Sequence, residues 1–228
     1  FCPLIYCDLS DNKKSIEYAG LDLLLTKAVN LELSFFHEAP RQLSLLYPYE
    51  EITKKQLASE AWTTKEDQEK AANLLNPLIK NKDPLIIAIS LTASEIGRVW
   101  PLEYFVQLSH LILKNPRCHI VLIGGADSLK WGKIFIHNIK ERCLNLINKT
   151  SLRETQEVLR SCDLFIGGDS GPLHLASSVD IPLIEISYYP KNANNPLHPN
   201  TPIRFAPLSS KATILQPDNF RYPCEKEC

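Results

Sequence analysis

The stretch Cys162-Asp163-Leu164-Phe165-Ile166-Gly167-Gly168-Asp169-Ser170-Gly171-Pro172-Leu173-His174-Leu175-Ala176 decides how the rest of the chain is read. Leu164 to Ile166 is a short apolar run bounded by turn residues, the pattern of a buried parallel strand. Two glycines then let the backbone turn sharply and pass close to a ligand. Pro172 suits the first turn of a helix, where its missing N–H forfeits no hydrogen bond. A helix is therefore expected over 173–179 and a second strand over 182–186. The loop of this strand–loop–helix–strand unit ends on a helix N-terminus. Free N–H groups and the positive end of the dipole favour an anion there, phosphate above all. Asp169, Ser170 and His174 crowd the same turn. Locally the motif fits equally well a plain crossover in which Asp169 or Ser170 caps the helix.

Upstream of this unit, strand and helix alternate with regularity from Pro84 onward. A strand over 85–90 leads to the loop 91–100 and to a helix that opens on Pro101 and carries Leu102, Phe105, Leu108 and Ile112 on one face. A strand over 119–123 leads to Gly124-Gly125-Ala126-Asp127-Ser128 and a helix over 129–142. A strand over 144–147 precedes Ser151-x-x-Glu154, a capping box that starts the next helix. Five strands with helical crossovers make a doubly wound parallel sheet of Rossmann type, an α/β fold. Ligands of such sheets sit at the carboxyl ends of the strands. Three loops should therefore converge on one crevice: 91–100, 124–128 and 167–174.

The flanks are less regular. Residues 1–50 open with an apolar segment, Pro3 to Cys7, followed by helical spacing of Tyr18, Leu21, Leu24, Leu25 and Ala28 and a second helix over 35–46 with His37, Glu38 and Arg41. Residues 51–83 are rich in charge and read as solvated linker helices into the main domain, 84–187. Prolines at 190, 196, 199, 202, 207 and 217 make 188–228 an irregular tail.

Composition narrows the function classes. With 228 residues, 44% hydrophobic and 22% charged, the chain has material for a proper core. A net charge of −1 lacks the broad basic footprint of a nucleic-acid binder. No apolar run reaches a membrane span. Seven cysteines, mostly scattered through expected strands and helices, suit reduced thiols in a cytosolic protein better than a disulfide framework. Cys224 and Cys228 alone make a weak metal signal, and no metal is expected. Methionine is absent and residue 1 is Phe, so the sequence is expected to start inside a longer protein.

Several chemistries drop out. Gly168-Asp169-Ser170-Gly171 matches the string around a trypsin-like nucleophile, but those enzymes are all-β. The same residues miss the last glycine of a nucleophile elbow. The loop after the first strand, 91–97, has neither the G-x-G-x-x-G of nicotinamide enzymes nor a Walker lysine. A nucleotide-like ligand held without those signatures remains. Arg98, just before Trp100-Pro101, could give paired hydrogen bonds to its phosphate, and Ser94 could donate to the same group. A plain surface arginine and a turn-closing serine are the alternatives.

Taken in order, these residues resemble glycosyltransferase family 9, the heptosyltransferase family of bacterial lipopolysaccharide assembly. The likeness is dense over 85–186. It rests on Ser94 and Arg98 before Trp100-Pro101, Gly124-Gly125 with Asp127, Asn145-Leu146, Ser151-Leu152-Arg153-Glu154 and the quoted 162–176 motif. The resemblance implies a two-domain GT-B architecture with a nucleotide-sugar donor, ADP-heptose, in the C-terminal domain. It implies that Asp169, Ser170, Gly171 and His174 line the donor's diphosphate and sugar. Ser94 and Arg98 would hold phosphate, and Gly124 and Gly125 would complete the donor set. Arg98 stands where well-known members carry lysine, and Ala93 replaces a hydroxyl residue.

The implied reaction is inverting transfer of a heptose to a lipid-linked oligosaccharide of the lipopolysaccharide core. No cofactor is implied, and Arg98 stabilises the leaving charge. The general base is expected in a first domain of which 1–50 is a remnant. The implied place is the cytoplasmic face of the bacterial inner membrane, with peripheral membrane contact. The rival reading is a non-catalytic nucleotide-binding or scaffold module derived from the same fold.

Overall fold

The apolar runs that helical stretches separate along the chain line up as one sheet. The computed structural model describes residues 37–43, 59–79, 83–93, 96–192 and 201–219. Expectations for 1–36, for Ser94 and for Cys224 and Cys228 lie outside these residues. The chain divides into two units, 1–57 with 195–206 and 58–194 with 207–228. In the first, α1 (Glu38–Leu43) and the short helix Pro202–Phe205 are described. There Arg204 pairs with Glu38 at 2.9 Å, and His37 Nε2 lies 2.9 Å from the Ala206 carbonyl oxygen.

The second unit begins with α2 (Lys65–Ile79) and continues as β1 (Leu85–Ser90), α3 (Leu102–Ile112), β2 (Cys118–Ile123) and α4 (Leu129–Asn138). It goes on through β3 (Cys143–Asn145), α5 (Leu152–Arg160), β4 (Leu164–Gly167), α6 (Gly171–Ser178), β5 (Leu183–Ile186) and β6 (Ala212–Leu215). Among the described residues these strands form one six-stranded sheet of order β3-β2-β1-β4-β5-β6, parallel at every pairing. All of β2 and all but the first residue of β1 are buried, as befits strands with helices over both faces. Ile86, Ala88, Val121, Phe165 and Leu183 meet Leu75 of α2, Val158 of α5 and Leu173 of α6 on one face. Ile87, Ile89, Ile120, Leu122 and Ile166 meet Phe105 of α3 and Phe135 of α4 on the other.

The structure differs from the expected layout in three places. Helix α2, expected as a solvated linker, buries Ala71, Leu75 and Leu78 in the core and turns only its charged side to water. The tail is not irregular throughout, because Ala212–Leu215 pairs along β5 as the sixth strand. Helix α4 stops at Asn138 rather than 142. Ile139 turns out of the helix into the core, and Arg142, at a left-handed φ of 53°, donates to the carbonyls of Leu113, Asn115 and Cys118. No described helix is long and apolar enough to cross a membrane.

Candidate functional site

Strand order reverses between β1 and β4, so the loops after them run to opposite sides and leave a crevice at their carboxyl ends. A cavity of about 230 Å³ opens there. Its wall takes Ser90, Thr92 and Ala93 from the end of β1 and the loop after it. The β2 loop supplies Gly124, Gly125, Asp127 and Ser128, and the β4–α6 turn Ser170, Gly171 and Pro172. The three loops expected to converge do so.

The β2 loop is shaped by Gly124. Its φ of 155° is rare for L side chains, and an added Cβ would stand 2.6 Å from Ser128 Oγ. That close approach turns Ser128 inward, where its hydroxyl and that of Thr92 are 2.5 Å apart. Thr92 Oγ1 also donates to Asp127 Oδ2 at 3.3 Å, so β1 and β2 share one polar rim.

The β4–α6 turn gathers charge. Asp169 Oδ2 accepts from Arg98 Nη1 at 3.3 Å, while His174 Nε2 lies 3.4 Å from Asp169 Oδ1. The Arg98 and Asp169 side chains are only 16% and 18% exposed, and that of His174 is 40% exposed. Arg98 reaches the turn from a 3₁₀ turn, Ile96–Arg98, in the β1 loop. Ser170, expected as a possible helix cap, makes no capping bond; its hydroxyl donates to the Gly168 carbonyl at 3.1 Å. The first turn of α6, with Pro172 in it, is thus left to face the cavity through Gly171.

Of the candidate residues, Gly124, Gly125, Ser170 and Gly171 line the cavity. Arg98, Asp169 and His174 are not in the cavity wall; they form one cluster joined to it where Asp169 precedes Ser170. Ser94 lies outside the described residues. Thr92, Ser128 and Pro172, all within the three loops expected to converge, also line the cavity, although none is in the donor set that the resemblance implies. Glu185 on β5 escaped notice too, because one carboxylate in a short apolar run reads as the wet side of an edge strand. It is 1% exposed, and burial first, then the Asp169 charge, push its carboxyl up to about 8. The described cysteines, Cys118, Cys143 and Cys162, carry free thiols. Burial raises Cys143 and Cys162 to about 12, which removes both as nucleophiles near neutral pH.

The description of glycosyltransferase family 9 (heptosyltransferase) matches residues 17–228. Over 121 residues the chain is 28% identical to lipooligosaccharide heptosyltransferase 2 of Haemophilus influenzae, an alignment that takes in 51% of this chain and 32% of that protein. The structure superposes on a glycosyl transferase family 9 protein from Veillonella parvula with a TM-score of 0.70 and 18% identity, over 84% of this chain and 52% of the other. On the E. coli ADP-heptose LPS heptosyltransferase II the TM-score is 0.65 with 19% identity, over 84% of this chain and 57% of the other. The chain thus spans about half the length of these solved relatives. The shared fold is the α/β, GT-B type.

Proposed function

The chain belongs to glycosyltransferase family 9, and on that footing we propose that it binds a nucleoside-diphosphate sugar in the crevice between β1 and β4. We take the donor to be ADP-heptose and the reaction to be transfer of the heptose, with inversion, to a lipid-linked oligosaccharide of the lipopolysaccharide core. One observation carries the reading. Arg98 and His174 converge on Asp169 beside a cavity floored by the N-terminus of α6, all at the switch point of the sheet. The names of the relatives, lipooligosaccharide and ADP-heptose heptosyltransferases, support the choice of sugar and acceptor.

Each group has a role that follows from its chemistry. The diphosphate lies against Gly171 and the first turn of α6, where the backbone dipole and Arg98 meet its charge. Gly124 and Gly125 keep the β2 loop low enough for the nucleotide to pass, and Thr92 and Ser128 offer hydroxyls to it. The acceptor hydroxyl attacks the anomeric carbon as the bond to the diphosphate oxygen breaks. Negative charge grows on that oxygen, and Arg98 with the N-terminus of α6 stabilises it in place. His174 is set to donate to the same diphosphate, and Asp169 holds Arg98 and His174 in position. The acceptor proton passes to a carboxylate base supplied by the acceptor side of the enzyme. The reaction takes place at the inner face of the bacterial inner membrane, where a lipid-linked acceptor is found.

Calorimetric titration with ADP and ADP-heptose tests the reading, on the wild type and on Asp169→Ala. Binding by the wild type that Asp169→Ala abolishes is the expected result. A folded wild type that binds neither compound, or an Asp169→Ala variant that binds as well as the wild type, overturns it.

A further inference from the structure

We propose that Glu185 is a positioning residue of the donor site: it holds a proton behind the Asp169 turn while the diphosphate is bound, and loss of that proton weakens donor binding. The inference rests on the donor reading above and adds a group that touches neither the cavity nor the reacting atoms.

The placement comes first. Glu185 lies opposite Gly167 in the β4–β5 ladder and opposite Ile214 in the β5–β6 ladder. Side chains alternate along a strand, so Glu185 shares the face of Leu183, which packs with Phe165, Leu173 and Ala176 in one core cluster. Its neighbour Gly167 offers no side chain, and the Phe165 ring fills that place, 2.8 Å from where a Cβ would be. The Glu185 side chain is therefore walled by apolar groups and is 1% exposed. Its Oε2 is buried without a hydrogen-bond partner among the described residues. A carboxylate in such a place forfeits its hydration and leaves Oε2 without a hydrogen bond, whereas the neutral acid forfeits far less.

The surroundings then say what the proton controls. Strand β4 carries no ionisable side chain, and the turn after it brings Asp169. Strand β6, Ala-Thr-Ile-Leu, brings none. Helix α6, which packs on β5, brings only His174, at 3.4 Å from Asp169. Arg98, the cation beside Asp169, reaches that carboxylate at 3.3 Å. With Glu185 neutral, Asp169 is the one charged carboxylate that Arg98 meets at this turn, and the guanidinium is available to a diphosphate. With Glu185 ionised, a second negative charge stands behind the Asp169 turn, and the diphosphate meets added repulsion. Burial and the Asp169 charge raise the carboxyl to about 8, so the change falls just above neutral pH.

The test is titration of ADP into wild type and Glu185→Gln at about pH 7 and about pH 9. Wild-type Kd is expected to rise roughly tenfold between the two, one pKa unit of coupling being a factor of ten. Glu185→Gln, of the same shape and unable to ionise, is expected to lose that rise while matching the wild type at about pH 7. Glu185→Leu is a second variant that cannot ionise and guards against a folding defect in the first. An equal rise in wild type and both variants overturns the role of Glu185 and leaves the donor site standing. Failure of every form to bind ADP at either pH overturns the donor reading, and the role of Glu185 with it. A residue that only packs would lower the melting temperature on substitution and leave the pH profile of ADP binding unmoved.

Discussion

Arg98 Nη1 stands 3.3 Å from Asp169 Oδ2, a contact between residues 71 positions apart that bridges the two sides of the switch point. Asp169 holds this guanidinium at the side of the crevice where we place the diphosphate. Arg98→Ala is expected to weaken ADP binding about tenfold or more, since a charge-assisted hydrogen bond contributes about 1.5–3 kcal/mol. Both side chains are mostly buried, so the melting temperature should fall as well, and affinity is compared on samples shown to be folded. Arg98→Lys keeps the charge without the planar fork and should fall between. Calorimetry beside a thermal melt checks all three, and unchanged affinity in Arg98→Ala would remove the residue from the site.

Two glycines of the crevice are expected to respond in opposite ways. Gly124→Ala places a Cβ 2.6 Å from Ser128 Oγ at a φ of 155°, so it should destabilise the protein by about 2 kcal/mol. Gly171→Ala meets nothing within 4 Å and sits at the start of α6, so it should leave the melting temperature unchanged or slightly raised. Its methyl group lies where we place the diphosphate, and ADP affinity should fall several-fold. Melting and ADP titration of the pair separate folding from binding. A Gly171→Ala protein that binds ADP normally would move the diphosphate elsewhere.

The capping box of α5 predicts an acid-sensitive term. The Ser151 N–H donates to Glu154 Oε2 at 2.8 Å, and the Glu154 N–H donates to Ser151 Oγ at 3.2 Å. The backbone bond from Ser151 first, then its hydroxyl and Lys70, hold Glu154 below its usual 4.5. A depressed carboxyl contributes stability above the unfolded value and loses it as pH falls through the folded one. Glu154→Gln should therefore be less stable than wild type near neutral pH, by about 0.5 kcal/mol, and the gap should close as the pH falls through the depressed Glu154 value. Ser151→Ala removes the cap itself and should cost about 1 kcal/mol at neutral pH. Denaturant melts across the acid range check both. A constant gap between wild type and Glu154→Gln would contradict the assignment.

Leu75, fully buried on α2, tests whether that helix belongs to the core. Leu75→Ala should destabilise the protein by about 2–5 kcal/mol, the usual result of emptying a buried leucine site. A solvated linker would lose almost nothing, and chemical denaturation distinguishes the two outcomes.

Why some of this was legible in the sequence and some was not has physical reasons. The strand, turn and helix of 162–176 are specified locally, by an apolar run, glycines and an N-terminal proline, so they could be read without the rest of the fold. Ala71, Leu75 and Leu78 recur at helical spacing, yet the charged run Lys65 to Lys70 just ahead of them makes the whole stretch read as solvated. Strand β6 is four residues long among prolines, too short for its alternation to stand out. The Thr92–Asp127 contact depends on β1 and β2 aligning Ser90 with Ile123, and nothing within either loop announces its partner. Glu185 is a carboxylate on what looks like an edge. It is interior because its side chain shares the face of Leu183, against the core of β4 and α6, which its own strand does not announce.

That late arrival of β6 bears on how the protein is made. The sheet is discontinuous along the chain, since residues 195–206 belong to the other unit and separate β5 from its last partner. On the ribosome, five strands emerge and pair while the backbone of β5 still offers its open side to any extended segment nearby. Until 212–215 have left the exit tunnel, the nascent chain displays a sticky strand edge with a carboxylate beside it.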